Sequence, residues 1–406
     1  MRRWFILIAV LCAAGCSTAP DPAATTSTEA AGPARYSADT PHSVGAIPNA
    51  VLRDPSRNRD VEMVVEYPTK GGPYPVIIFS HGYGAARNTY VALTEYWTGH
   101  GFVCILPQHA DAGLLRERLR QTTRERIEER REERRERRQT GQIRDPRDQP
   151  EEQGERRERV RQAAESFWQS QSENDWRNRV SDVTFVLDSL TQLEEQYPEL
   201  RGKIDRTRVG VGGHSYGAYT AMLIAGATPF RDGNALRFGD SRVRAILAMS
   251  PQGTGVGGLT EQSWTGLRIP AMYMTGSLDQ GLAEHPATWR RDPFTHGTGK
   301  DQYYVSITGA RHGSFTGRFS EMMDRKPERF PQPVPGRDRR SFEPPADAGP
   351  PRGAAGPEGE QRIFNAVKAA STAFWQAYLR DDAKAKAFLA TELEGLNRGG
   401  IEVGRR

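Results

Sequence analysis

Five residues, Gly213-His214-Ser215-Tyr216-Gly217, constrain this chain more than any other segment. Two apolar runs of different kinds flank them. Arg208-Val209-Gly210-Val211-Gly212 reads as a short buried strand, and Ala218-Tyr219-Thr220-Ala221-Met222-Leu223-Ile224-Ala225 as a buried helix. A serine at a sharp strand-to-helix turn is held in a strained backbone conformation with its hydroxyl lifted clear of the sheet. Bulky neighbours collide in such a turn, so glycine two residues before and two after the serine is a steric requirement. The pattern alone arises by chance. Between a β-run and an apolar helix it marks Ser215 as a candidate nucleophile.

A serine hydroxyl needs an imidazole to take its proton and a carboxylate to fix that imidazole's tautomer. In a strand–turn–helix setting of this kind the acid and the histidine follow the serine in that order, each on a loop after a strand. Pro270-Ala271-Met272-Tyr273-Met274-Thr275 is a β-prone run ending in Gly276-Ser277-Leu278-Asp279, which makes Asp279 the candidate acid. Tyr303-Tyr304-Val305-Ser306-Ile307 is the next such run and ends in Thr308-Gly309-Ala310-Arg311-His312, which makes His312 the candidate base.

Competing residues fit less well. Asp292 and Asp301 lie in a polar stretch before the last strand, and Asp240 precedes a strand. Ser250 ends Val243-Arg244-Ala245-Ile246-Leu247-Ala248-Met249 at the other position where an acid would serve, and it is no acid. Of the eight histidines, His285 and His296 share the Asp292 loop, while His42 and His100 end no strand.

Acyl transfer also needs donors aimed at the developing oxyanion. Pro75-Val76-Ile77-Ile78-Phe79-Ser80 reads as a third buried strand, followed at once by His81-Gly82-Tyr83-Gly84. One backbone N–H is expected from Tyr83 and the other from Tyr216. His81 is expected to brace this loop, and His214 to point away from the site.

Between these segments the rhythm is strand, helix, strand. Arg59–Pro68 and Phe102–Leu106 read as strands, Asn88–Gly99 and Asp175–Tyr197 as helices, and Arg362–Leu379 as a closing amphipathic helix. This alternation predicts an α/β fold with a mainly parallel twisted sheet and helices on both faces. The catalytic domain is expected over 43–317, with its C-terminal helix over 361–395. Two stretches break the rhythm. Residues 113–165 are dominated by Arg and Glu and read as a solvated, charged helical insert, because nearly every face is charged. Residues 318–360, rich in Pro, Arg and Gly, read as a disordered loop. The formal charge of +5 comes mostly from the arginine-rich inserts, so no nucleic-acid partner is expected.

The N-terminus has the form of an export signal. Arg2 and Arg3 precede an apolar stretch from Trp4 to Ala14, too short to span a bilayer. Ala13-Ala14-Gly15-Cys16 resembles a bacterial lipobox, so residues 1–16 are read as a signal ending in a lipidated Cys16, and 17–42 as a disordered tether. A membrane-anchored lipoprotein, periplasmic or at the cell surface, is the expected location; a soluble secreted protein is the alternative. The remaining cysteine, Cys104, lies in an apolar run and reads as core packing. No Cys/His cluster has metal-ligand spacing, and neither metal nor cofactor is expected.

The segments Ile78-Phe79-Ser80-His81-Gly82-Tyr83-Gly84, Gly213-His214-Ser215-Tyr216-Gly217 and Gly309-Ala310-Arg311-His312, in that order, resemble the α/β-hydrolases. The nearest resemblance is to dienelactone-hydrolase-like proteins, platelet-activating-factor acetylhydrolases and cutinase-like polyester hydrolases. It covers 43–110, 175–317 and the terminal helix. It implies a serine hydrolase of carboxylic esters, with Ser215 as nucleophile, Asp279 as acid, His312 as base, and Tyr83 and Tyr216 as oxyanion donors. Dienelactone hydrolases proper carry a cysteine where Ser215 stands. The acetylhydrolases place their acid after the strand that here ends at Ser250, whereas the polyester hydrolases have it where Asp279 stands. A small-molecule or lipid ester is the implied substrate. An acylhydrolase working on phospholipid at the membrane surface and a non-catalytic binding protein on a hydrolase scaffold are the alternatives.

Overall fold

The structure is a computed structural model and describes residues 41–112, 173–281, 285–317 and 356–406, together with Arg131. The export signal expected at 1–16, residues 17–40 of the tether expected at 17–42, the charged insert 113–165 apart from Arg131, and residues 318–355 of the Pro/Arg/Gly-rich stretch lie outside the described residues.

Within the described residues the strands are β1 (Val44–Asp54), β2 (Arg59–Pro68), β3 (Tyr74–Ser80), β4 (Val103–Pro107), β5 (Ile204–His214), β6 (Phe230–Arg231), β7 (Asn234–Ala235), β8 (Val243–Met249), β9 (Ala271–Gly276), β10 (Gln302–Ile307) and β11 (Ile401–Arg405). The pair β6–β7 is a small hairpin, and the other nine form one sheet in the order β1-β2-β4-β3-β5-β8-β9-β10-β11. Six central strands, β4 to β10 in that order, run parallel, and β1, β2 and β11 are antiparallel at the two edges.

Parallel neighbours require crossovers, and the helices supply them on both faces. The α-helices among the described residues are α1 (Val91–Gly99), α2 (Glu173–Asp188), α3 (Leu190–Gln196), α4 (Tyr216–Ile224), α5 (Asp292–His296), α6 (Pro357–Leu379), α7 (Ala383–Thr391) and the four-residue α8 (Leu396–Gly399). Successive strand residues point to opposite faces, and the two cores divide accordingly. Val76, Ile78, Val209 and Val211 pack with α2, α3 and α4 residues such as Val183, Leu193 and Met222. Ile77, Phe79, Leu247 and Met274 pack with α1 and α6 residues such as Trp97, Phe374 and Trp375. Gly210 lets β5 lie against this second layer, because a Cβ there would sit 2.6 Å from Trp375.

Several boundaries differ from the sequence reading. The long helix expected before β5 is two helices, broken at Ser189. The closing helix begins at Pro357, inside the stretch read as a loop to 360, because proline is favourable in a helix's first turn and Glu358 and Glu360 complement its N-terminus. After it the chain adds α7 and then β11, an edge strand pairing with β10 that the sequence reading did not anticipate.

Candidate active site

β5 ends at His214, and Ser215 follows with φ 56° and ψ −120°, a conformation unfavourable for a residue with a Cβ. Surrounding structure holds it there: its N–H donates to Met249 O of β8 at 2.9 Å, and its carbonyl accepts from Ala218 N in the first turn of α4. A Cβ on Gly213 would collide with the Gly217 carbonyl, and one on Gly217 with the Ser80 carbonyl. The two flanking glycines are thus required by close backbone approach. Gly82, after β3, faces the same turn, since a Cβ there would lie 3.5 Å from Ser215 Cβ. The loop carrying Tyr83 therefore abuts the Ser215 turn.

Asp279 and His312 come from the next two strand ends. The loop after β9 is laced to the loop after β10: Ser277 N donates to Ile307 O at 3.1 Å, and Leu278 N to Ala310 O at 3.0 Å. Asp279 Oδ1 accepts from His312 Nδ1 at 2.9 Å, and Oδ2 accepts from Thr275 Oγ1 at 3.0 Å. Asp279 is fully buried, while the His312 side chain is 46% exposed, so the imidazole's other nitrogen has a path to solvent or substrate. Burial alone would push the Asp279 carboxyl up. The His312 hydrogen bond and the Arg290 charge outweigh it and hold the group at about 2. Asp279 is therefore an anion at every pH where the imidazole could act.

His214 does not point away from this pair, contrary to the sequence expectation. Its ring centroid lies 4.6 Å from that of His312 and 5.7 Å from that of Phe315, with Nδ1 hydrogen-bonded to Tyr90 Oη at 2.8 Å. Burial, then the proximity of His312, lowers its pKa well below the usual histidine value, so a neutral ring supports His312 from beneath. His81 braces its loop as expected. Its Nδ1 donates to Gly82 O at 2.8 Å, and Nε2 accepts from His109 N at 3.1 Å.

Beneath the Tyr83 loop lies a buried polar network absent from the sequence reading. Ser80 Oγ donates to His109 Nε2 at 2.7 Å, and His109 Nδ1 donates to Asp182 Oδ2 at 2.8 Å. Arg57 and Arg59 each place an Nη1 2.6 Å from Asp182 Oδ1. This is a hydrogen-bonded Ser–His–Asp chain, but all three side chains are buried, so substrate has no access to Ser80. Arg179 extends the network to the site. It donates to His81 O at 2.8 Å, pairs with Asp111 at 2.7 Å, and stacks 4.3 Å from the Tyr216 ring. The Tyr83 and Tyr216 rings meet edge to face at 6.3 Å. No local motif marked His109, Asp182 or Arg179, because they converge only through the fold. Among the described residues, no three His, Cys, Asp or Glu side chains converge as a metal site would require.

A family model for platelet-activating factor acetylhydrolase, isoform II, matches residues 54–237. Platelet-activating factor acetylhydrolases from Cavia porcellus and Bos taurus are each 30% identical to this chain over 167 residues, and the one from Canis lupus familiaris is 26% identical over 169. Each alignment covers 41% of this chain and 35% of the relative, so the chain spans about a third of the length of the curated relatives it matches. The family match includes the Tyr83 loop and Ser215 and stops before Asp279 and His312. The mainly parallel sheet with helices on both faces is that of the α/β-hydrolase fold, and over residues 54–237 the chain is similar to the platelet-activating factor acetylhydrolases.

Proposed function

We propose that the protein is a serine hydrolase of carboxylic esters. The reading is carried by one observation: a buried, ionised Asp279 holding a half-exposed His312 through its Nδ1, at the carboxyl ends of the parallel strands, where Ser215 also occupies a strained turn. With Nδ1–H committed to Asp279, the other imidazole nitrogen is the basic one. It takes the Ser215 proton as Oγ attacks the ester carbonyl. The backbone amides of Tyr83 and Tyr216 receive the oxyanion. His312 returns the proton to the departing alcohol, and water repeats the sequence on the acyl-enzyme.

The test compares wild type with Ser215→Ala on p-nitrophenyl acetate and butyrate. We expect kcat to fall by at least ~10⁴-fold; equal turnover by both proteins would end the proposal. Labelling by a fluorophosphonate separates this reading from a binding protein on the same scaffold.

The relatives' names point to an acetyl ester of a phospholipid as the substrate class. A lipid anchor at Cys16 would hold the enzyme beside such substrates. A Cys16→Ser variant is then expected to leave the membrane fraction, and unchanged membrane association would remove the anchor from the account. Acetylated phospholipid in vesicles should be cleaved in preference to its long-chain counterpart; the reverse preference would favour a phospholipase-type substrate.

A further inference from the structure

Arg290 is a buried cation that nothing in the proposed reaction uses. Only 3% of the residue is exposed, and burying a guanidinium is costly unless its donors are satisfied. Here each nitrogen has carbonyl partners. Nε donates to Asp279 O at 2.8 Å, and Nη1 donates to Ser250 O at 2.8 Å and Pro251 O at 2.9 Å. Nη2 donates to Gln280 O at 3.1 Å and lies 3.3 Å from His312 Nδ1. Nε is also 3.0 Å from Asp279 Oδ1, the oxygen that accepts from His312.

This pattern joins two loops. Ser250 and Pro251 leave β8, while Asp279 and Gln280 leave β9, and one planar fork holds carbonyls of both. The arginine itself is fixed in turn, because the neighbouring Trp289 Nε1 donates to Thr254 O at 2.8 Å. The carboxylate is also fixed in rotation: Oδ1 faces His312 and Arg290, and Oδ2 faces Thr275. A lysine ammonium keeps the charge but has no fork to span both loops.

We infer that Arg290 is the positioning residue of the acid–base pair, clamping the β8 and β9 loops so that Asp279 presents Oδ1 to His312. The inference rests on the ester-hydrolase reading for its kinetic consequence but not for its structural one. The experiment therefore has two readouts. The first is the kcat and KM of Arg290→Met and Arg290→Lys on p-nitrophenyl acetate. Misplacing a reacting group by about an ångström costs on the order of 10²-fold. We expect Arg290→Met to lose about that much in kcat with KM within about threefold, and Arg290→Lys to lose about 10-fold. The second readout is the far-downfield proton resonance of the His312–Asp279 hydrogen bond. It should be present in wild type, weakened in the lysine variant and lost in the methionine variant. Should Arg290→Met fail to fold, Arg290→Lys decides. A folded variant of either kind with wild-type kcat and an unchanged resonance overturns the clamp. If wild type proves insensitive to Ser215→Ala, the hydrolase reading fails, and the resonance alone still decides for or against Arg290.

Discussion

At the scale of single residues, the site shows how burial assigns protonation. Asp279 is fully buried yet ionised, because His312 and Arg290 both face its Oδ1. Glu66, on β2, shows the opposite outcome. It is 2% exposed, its Oε2 has no hydrogen-bond partner among the described residues, and burial pushes its carboxyl up to about 8, with Glu95 adding to the shift and a Thr94 hydrogen bond offsetting part of it. The folded state therefore keeps a proton that the unfolded chain loses near its ordinary value of 4.5. The contribution of Glu66 to stability should fall as pH rises from about 4.5 to 8, with a slope of at most ~1.4 kcal/mol per pH unit. Urea unfolding at pH 5, 6.5 and 8 would show this decline as the difference between wild type and Glu66→Gln, because the buried histidines, His214 among them, contribute a rise with pH that both proteins share. Parallel pH dependence in the two proteins would assign the slope elsewhere.

At the scale of elements, the central strands were legible because a strand covered on both faces is a continuous apolar run between turn residues. The strand-end positions of Ser215, Asp279 and His312 were legible because each sits where such a run ends. The charges around Asp279 and the Tyr83 loop were not. Arg290 and Arg179 stand in polar sequence, and only packing brings them in, Arg179 from α2 and Arg290 from the segment between β9 and β10. β11 escaped notice because Ile-Glu-Val-Gly-Arg is short and carries a glycine and charges, as an edge strand tolerates. The half-buried side of the site likewise emerged only from packing, as the contact between the His214 and His312 rings illustrates. The loops after β8 and β9 also yield a prediction. Ser250 has φ 52°, a conformation aspartate tolerates better than most residues, and Arg290 grips the carbonyls of both loops. Asp279→Asn should lower kcat by ~10³–10⁴-fold, and adding Ser250→Asp should restore at least ~10-fold of it. Steady-state kinetics of the single and double variants measures this, and a double variant no better than the single one would refute an interchangeable acid position.

At the scale of the whole molecule, the match to the acetylhydrolases ends at residue 237, and the acid and base lie beyond it. The assignment of Asp279 and His312 thus stands on geometry rather than on alignment. An Asp–His pair occurs twice in the fold: once at the carboxyl ends of the strands, where Asp279 holds the half-exposed His312, and once buried, where Asp182 holds His109 and His109 also bonds Ser80. The account separates them by access alone. A fluorophosphonate reacted with the purified protein and located by peptide mass mapping tests this most directly. The account predicts one adduct per chain, on Ser215, abolished by His312→Ala and untouched by His109→Ala. An adduct on Ser80, or ester turnover that persists with Ser215 unlabelled, would contradict it.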